Sequence, residues 1–255
     1  GSISGETVLG APWSDYRING GVQIVSPGGA VSTRIPILMQ RDLAITGLDD
    51  GTRFAIHGDY HGRRALIMYA ATDGPDSSYR YRILHDFGAT PRFLERNATG
   101  NTLFVTVSGD SQIQRFKTPG TPGPNSVWTR DTLAGLTSPS AMSYDAANDR
   151  LYVLDGSTIK RLNSASGATP AVDAAWGPVT AISATDLAYV SNASHPQTLF
   201  VAMQTLQEVR SFAVSAPPAT LTTAHTYVSG LDIDPQNVLA HPTNGDVYVR
   251  AADRS

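Results

Sequence analysis

Residues 57–61, His-Gly-Asp-Tyr-His, carry three potential metal ligands at alternate positions. On an extended strand alternate side chains point the same way, so His57, Asp59 and His61 would share one face. Imidazole and carboxylate groups of this kind bind divalent metals such as zinc. Other copies of the repeat described below have a polar turn in this place, which favours a turn for this segment too. No fourth ligand is fixed by the spacing.

A second group of polar side chains recurs at one position of a repeated strand. The fourth residue of that strand is His57, Arg96, Tyr144, Val190 or His241 in successive copies. If the strand lines a central channel, these side chains converge at one depth, and such concave places are where ligands bind. We therefore predict ligand contacts from His57, Arg96, Tyr144 and His241. The alternative is that they are ordinary packing or turn residues.

Several kinds of catalysis are excluded or disfavoured by the sequence. The chain has no cysteine, so thiol catalysis and cysteine-ligated metal centres are absent. No Gly-x-Ser-x-Gly motif stands between a strand and a helix. The Ser-Gly-Asp-Ser segment at 108–111 falls in a hairpin turn, and Glu95, beside Arg96, is the best single general-acid candidate. No cofactor is predicted, and a non-enzymatic role is favoured.

The composition restricts the partners. Charged residues make up 16% of the chain, the net charge is -3 and the pI is about 6.0. There is no basic stripe for nucleic acid, and no apolar run reaches the roughly 18 residues of a membrane span. A surface rich in Ser, Thr, Asn and Gly is typical of exported proteins, so we expect an extracellular, periplasmic or cell-surface location. The opening Gly1-Ser2 resembles a remnant of tag cleavage.

One pattern recurs along the chain. Its anchors are apolar residues that open a short strand: Leu66, Leu103, Leu151, Leu199 and Val247. Successive anchors are 37, 48, 48 and 48 residues apart. About ten residues before each anchor stands another partly alternating segment that ends in polar turn residues. Alternation over four to six residues with Asn, Asp and Gly between the runs predicts strand–turn–strand units.

Further segments complete each unit. Short segments such as RDLAITGL, RDTLAGL and AHTYVSGL precede the units and are predicted to supply a fourth strand. No stretch has a 3.6-residue apolar period over three turns, so almost no helix is expected. A repeat of about 48 residues with four short strands is typical of a β-propeller blade, because one blade cannot bury both of its faces alone.

The sequence thus predicts an all-β chain that forms a single propeller domain over residues 1–255. Five four-stranded blades are expected, with residues 1–21 as an N-terminal extension. Residues 22–40 would complete the last blade by pairing with the strand at Val247, which closes the ring and removes open sheet edges. Six blades, with the first 21 residues contributing to the extra one, are an alternative. A two-sheet sandwich is another, but it would not explain the 48-residue period.

The best copy of the repeat, AMSYDAANDRLYVLDGSTIKRL, resembles the NHL and YncE-like families of propeller repeats. The resemblance covers about residues 22–255. It implies a propeller fold, and such families include protein- and ligand-binding scaffolds as well as hydrolases, lactonases and lyases. We expect a non-enzymatic binding propeller that recognises a protein or a glycan. The alternatives are a metal-dependent hydrolase or lactonase-like enzyme with its site in the channel, and a structural module of a larger surface or virion assembly.

Overall fold

The computed structural model describes residues 7–10, 20–25, 31–37, 42–47, 52–60, 63–71, 79–123, 125–231 and 234–251. Within these ranges the chain is almost entirely β-strand, as predicted. The helical content there is two single turns of 3₁₀ helix, Gln204–Leu206 and Thr223–His225. No helix in this part of the chain is long and apolar enough to span a membrane. The chain divides into two compact units, residues 1–109 with 114–131, and residues 110–113 with 132–255.

The strands before residue 134 form three sheets, in the orders β1-β2-β3, β4-β5-β6-β7 and β11-β10-β9-β8. Their bounds are β1 Thr7–Gly10, β2 Gly20–Val25, β3 Val31–Ile37, β4 Asp42–Gly47, β5 Arg53–Tyr60, β6 Arg63–Ala71, β7 Tyr79–Asp86, β8 Pro91–Arg96, β9 Thr102–Val107, β10 Ile113–Lys117 and β11 Thr129–Leu133.

The later strands form three more sheets. Two have the orders β12-β13-β14-β15 and β17-β18-β19-β20, and the last is the pair β21-β22. Their bounds are β12 Pro139–Asp145, β13 Arg150–Asp155, β14 Thr158–Asn163, β15 Ala171–Val172, β16 Val179–Thr180, β17 Ala184–Val190, β18 Thr198–Met203, β19 Glu208–Ala213, β20 Thr226–Val228, β21 Pro235–Ala240 and β22 Val247–Ala251.

In the sheets that begin with β8, β12 and β17, the second strand lies in the core. The anchors Leu103, Leu151 and Leu199 are fully buried, and so are the valines two residues after them, Val105, Val153 and Val201. The side chains between them are buried as well, so β9 has no exposed face, and β13 and β18 are buried after their first residue. Stacking on both sides explains why these strands are continuous apolar runs. The equivalent pair in the last copy of the repeat, Val247 and Val249 of β22, is only half-buried.

The 48-residue period is visible in the backbone. Asp149, Gln197 and Gly245 precede equivalent strands, and their φ angles are 49°, 45° and 83°. A left-handed residue therefore closes each of these turns, although only one of the three is a glycine. The carbonyl groups of Asn101, Asp149 and Gln197 each accept a backbone hydrogen bond from the end of the third strand.

The segment RDLAITGL was predicted to supply a fourth strand ahead of its unit, and β4 pairs with β5 at the start of that sheet. One prediction about strand order is wrong. The N-terminal strands were expected to pair with the Val247 strand. Instead β2 lies between β1 and β3, and β22 pairs with β21 in a separate two-stranded sheet. A local pattern predicts that a segment is a strand, but pairing is decided by tertiary contacts that the pattern does not record.

Candidate functional site

The predicted metal segment lies partly in a strand. β5 runs to Tyr60, so His57 and Asp59 are strand residues, and the turn interpretation is wrong for residues 57–60. The pairing of β5 with β6 is irregular between His57 and Tyr60. His61 lies outside the described residues, as do the side chains of His57 and Asp59. Metal binding by these three residues therefore stays a prediction.

The predicted ligand-binding residues do not all occupy the same strand position. Arg96 and Tyr144 lie on β8 and β12, the first strands of their sheets, and His241 follows β21. His57 lies on β5, the second strand of its sheet. The difference follows from the place of β4, which shifts this sheet by one strand relative to the repeat in the sequence.

Arg96, Tyr144 and His241 each stabilise a local turn. The Arg96 guanidinium donates hydrogen bonds to the carbonyl oxygens of Asn97 and Ala98, at 3.0 and 2.9 Å. The Tyr144 hydroxyl donates to Asp149 Oδ1 at 2.8 Å, and burial together with this bond raises the pKa of Tyr144 well above its usual value. His241 Nδ1 accepts hydrogen bonds from backbone N–H groups of the following turn.

The arginine that recurs in the third strand has a structural role. Arg115 on β10 makes two hydrogen bonds to Asp131 on β11, at 2.7 and 2.6 Å. Arg161 on β14 pairs with Asp173, directly after β15, and two of its N–H groups donate to the same oxygen, Oδ2. Each arginine side chain is largely buried and joins the third strand to the outer strand. The repeated arginine therefore reflects blade architecture.

A surface cleft of about 370 Å³ lies in the second unit, and sequence reasoning did not find it. Its walls come from the start of β13, the middle of β14, the segment after β15, and the residues that flank β18 and β19. The lining residues are Arg150, Arg161, Ala175, Trp176, Gln197, Val214, Ser215 and Pro217. Its volume is within the range of small-molecule sites.

A break in the outer strand places Trp176 at this cleft. β15 and β16 both pair with β14, but the segment between them leaves the ladder. The Asp173 carboxylate accepts hydrogen bonds from the N–H groups of Ala175 and Trp176, at 3.1 and 3.2 Å, which forms a tight turn. The Trp176 indole then packs against Tyr152 and Phe212, with ring centroids 5.6 and 6.3 Å away.

The Arg161 guanidinium is held in place at the cleft. It pairs with the Asp173 carboxylate and lies 5.4 Å from the centre of the Trp176 ring. The Asn163 amide donates a further hydrogen bond to Asp173 at 2.8 Å. The Arg161 guanidinium, against the opposing effect of burial, lowers the pKa of Asp173 to about 2. The pair therefore stays ionised near neutral pH, and Arg161 adds no net charge to the cleft.

Arg150, the second arginine of the cleft, differs from Arg161 in having no carboxylate partner among the described residues. It is the first residue of β13, half-buried, and pairs through its backbone with Asp145 and Asn163. Its guanidinium has no hydrogen bond or ion pair with any residue in the described part of the chain. The equivalent positions in neighbouring sheets hold Thr102 and Thr198. A departure from the repeat, threonine to arginine, is the sequence signal that could have indicated this site.

The cleft is preformed by hydrogen bonds between its walls. The Trp176 indole N–H donates to the carbonyl of Val214 at 2.8 Å. The Val214 N–H in turn donates to the carbonyl of Gln197 at 2.9 Å. Three lining residues from different segments are thereby joined, and an anionic group that enters would meet Arg150 without any rearrangement of these bonds.

Comparisons with known proteins place this chain in a fold class. No protein-family profile and no curated protein sequence matches it. Among solved structures, a functionally unknown protein from Desulfotomaculum acetoxidans is similar with a TM-score of 0.61 and 17% identity, over 97% of this chain and 72% of the other. The propeller in a nidogen–laminin complex is similar with a TM-score of 0.53 and 17% identity, over 76% of this chain and 68% of the other.

Two further neighbours come from Bacteroides. A proposed 6-phosphogluconolactonase of B. fragilis has a TM-score of 0.60 at 14% identity, over 98% of this chain and 89% of the other. A proposed 6-phosphogluconolactonase of B. uniformis has a TM-score of 0.61 at 13% identity, over 96% of this chain and 82% of the other. At these identities the likeness shows the fold alone. Together with the repeated four-stranded sheets, it establishes that the chain is an all-β protein of the β-propeller class.

Proposed function

We propose that this chain is a non-enzymatic binding propeller, exported or surface-displayed, that recognises a protein or a glycan through the cleft at Arg150. The observation that carries the proposal is the Arg150 guanidinium, which has no partner among the described residues and lies at a preformed cleft. The low charged fraction and the polar, uncharged surface support an exported location.

The chemistry of the cleft supports binding more than turnover. The residues that line it include no histidine, aspartate or glutamate to act as general acid or base. The one nearby carboxylate, Asp173, is already paired with Arg161. Such a site can orient and neutralise an anion, but its lining holds no group suited to transfer a proton near neutral pH.

A lactonase-like activity is the second candidate. Two fold neighbours are described as proposed 6-phosphogluconolactonases. In this chain such an activity would draw on His57, Asp59 and His61, singled out from the sequence as potential metal ligands, and on His241, predicted there to contact a ligand. A structural role in a larger assembly is a third interpretation, which the cleft neither requires nor favours.

Binding assays with matched variants test the proposal. Immobilised glycans and acidic peptides are exposed to the wild-type protein, to Arg150→Thr and to Arg250→Ala. Threonine is the residue at the equivalent repeat positions, so Arg150→Thr should fold. Arg250 is an exposed arginine outside the cleft, and its removal changes the net charge equally. We expect binding that Arg150→Thr weakens by at least about tenfold and Arg250→Ala preserves. Absence of binding to both surfaces, with hydrolysis of a sugar lactone, would overturn the proposal.

A further inference from the structure

We infer that the cleft at Arg150 binds the carboxylate of an acidic sugar, a uronic acid residue of a glycan. This inference rests on the proposed binding function and specifies its ligand.

The net charge of the cleft lining matches that of a single carboxylate. Two guanidinium groups line the cleft, but Arg161 is neutralised by Asp173, with which it forms an ion pair. The net charge available to a ligand is therefore that of Arg150 alone. A single guanidinium matches a single carboxylate, because its planar fork of N–H donors fits the two oxygen atoms of that group. A phosphate with two negative charges would leave one of them uncompensated.

The rest of the cleft lining combines hydrogen-bonding and apolar residues. Gln197 offers an amide and Ser215 a hydroxyl, and both residues are exposed. The lining also includes the apolar residues Ala175, Val214 and Pro217. A sugar ring presents hydroxyl groups at its edge and C–H groups on its faces. The combination of one cation with hydrogen-bonding and apolar groups in the same cleft therefore fits a sugar acid.

The walls of the cleft are held in place by hydrogen bonds between them. The hydrogen bonds from Trp176 to Val214 and from Val214 to Gln197 fix both walls before any ligand arrives. Arg161 is likewise held by Asp173 and by the Trp176 ring. A site whose walls are already ordered loses little conformational entropy on binding. This property suits a small, rigid sugar ring, whereas a flexible acidic peptide would lose entropy on its own side.

The test compares ligands that differ only in charge. Short oligogalacturonides and oligoglucuronides are titrated by calorimetry against the full chain, beside the same oligosaccharides with their carboxylates methyl-esterified. We expect the acids to bind at least about tenfold more tightly than the esters, since a charge-assisted hydrogen bond is lost. Arg150→Thr should weaken binding of the acids by a similar factor and leave any binding of the esters unchanged. Arg250→Ala should change neither.

The outcomes separate this inference from the proposal on which it rests. Equal binding of acid and ester, or unchanged binding by Arg150→Thr, would overturn the carboxylate assignment while binding itself stands. Arg150-dependent binding of an oligo-glutamate peptide with no binding of either uronate series would overturn the assignment to a sugar. If Arg150→Thr unfolds, Arg150→Lys keeps the charge and loses the planar fork. It should then retain weakened binding of the acids, and undiminished binding would contradict the inference.

Discussion

His85 is a single side chain whose protonation is coupled to folding. Its ring is half-buried and packs edge-on against Phe87, with centroids 4.8 Å apart. The Arg130 guanidinium lies 2.8 Å from His85 Nε2. A guanidinium can only donate, so the histidine nitrogen accepts and the ring is neutral in this arrangement. Burial first, and then the charge of Arg130, lower the pKa of His85 below its usual 6.5.

This coupling predicts a loss of stability in mild acid. Because the pKa is lower in the folded protein, the unfolded chain binds the proton more readily. The neutral ring therefore stabilises the fold above about pH 6.5, and this contribution is lost as the pH falls through the folded pKa. Urea midpoints at pH 7.5 and 5 should differ less for His85→Gln than for the wild type. His225→Gln should keep the wild-type difference, and an equal loss in all three proteins would contradict the coupling.

Two equivalent ion pairs differ in burial and therefore in expected strength. In Arg161–Asp173 the side chains are 13% and 12% exposed, whereas in Arg115–Asp131 the aspartate is 49% exposed. The Asp173 carboxylate is itself largely buried and also accepts hydrogen bonds from Asn163 and from two backbone N–H groups, so Asp173→Asn should reduce the free energy of unfolding by about 1–3 kcal/mol. Asp131→Asn, its matched control, should cost about 1 kcal/mol or less. Chemical denaturation measures both, and equal losses would show that burial does not decide the strength.

The second strands of the sheets carry most of the packing. Leu151 on β13 is fully buried, and its neighbours on both faces are buried too. Leu151→Ala should reduce the free energy of unfolding by about 2–5 kcal/mol, since the surrounding sheets cannot collapse fully into the cavity. Val249→Ala, in half-buried β22, should cost clearly less. A loss below about 0.5 kcal/mol for Leu151→Ala would be incompatible with this packing.

The repeat made these strands predictable from sequence. Asp149, Gln197 and Gly245 stand at 48-residue intervals, and the structure gives all three the same left-handed backbone. Within each unit, alternation and turn residues are local properties, so strand, turn and core assignments follow from them. The choice of partner is not local, because nothing in the Val247 segment or in residues 22–40 records which strand each one pairs with. This explains why the pairing of β22 was predicted incorrectly.

The cleft illustrates the same limit for a functional site. Its tryptophan comes from a break between β15 and β16, and its walls belong to five separate segments. The residues chosen from the sequence, Arg96, Tyr144 and His241, were selected by their repeat position. Their hydrogen bonds stabilise local turns, which polar residues at a repeated turn position commonly do, and ligand binding by these residues stays a prediction. Arg150 interrupts the repeat, because threonine stands at the equivalent positions 102 and 198. For the cleft, this departure from the repeat is therefore a more informative sequence signal than the repeated polar position.

The charge of the whole molecule bears on how the cleft would select its ligand. With a net charge of -3, the protein offers no long-range attraction to an anion. Recognition of a carboxylate at Arg150 would then depend on contact within the cleft, where the guanidinium and its neighbours are held in place. Selection would therefore follow from the shape and hydrogen bonds of a ligand more than from its total charge.

A metal requirement distinguishes the binding function from the hydrolase alternative for the protein as a whole. In the described residues no three His, Asp or Glu side chains are grouped to hold a metal ion. Arg150 itself supplies the positive charge of the cleft, so we expect chelator-treated protein to keep its melting temperature and its affinity for an oligouronide. Metal content by mass spectrometry should stay below one ion per chain. A stoichiometric ion that disappears in the His57→Ala/His241→Ala double variant, together with loss of activity on a lactone, would instead establish the metal-dependent enzyme.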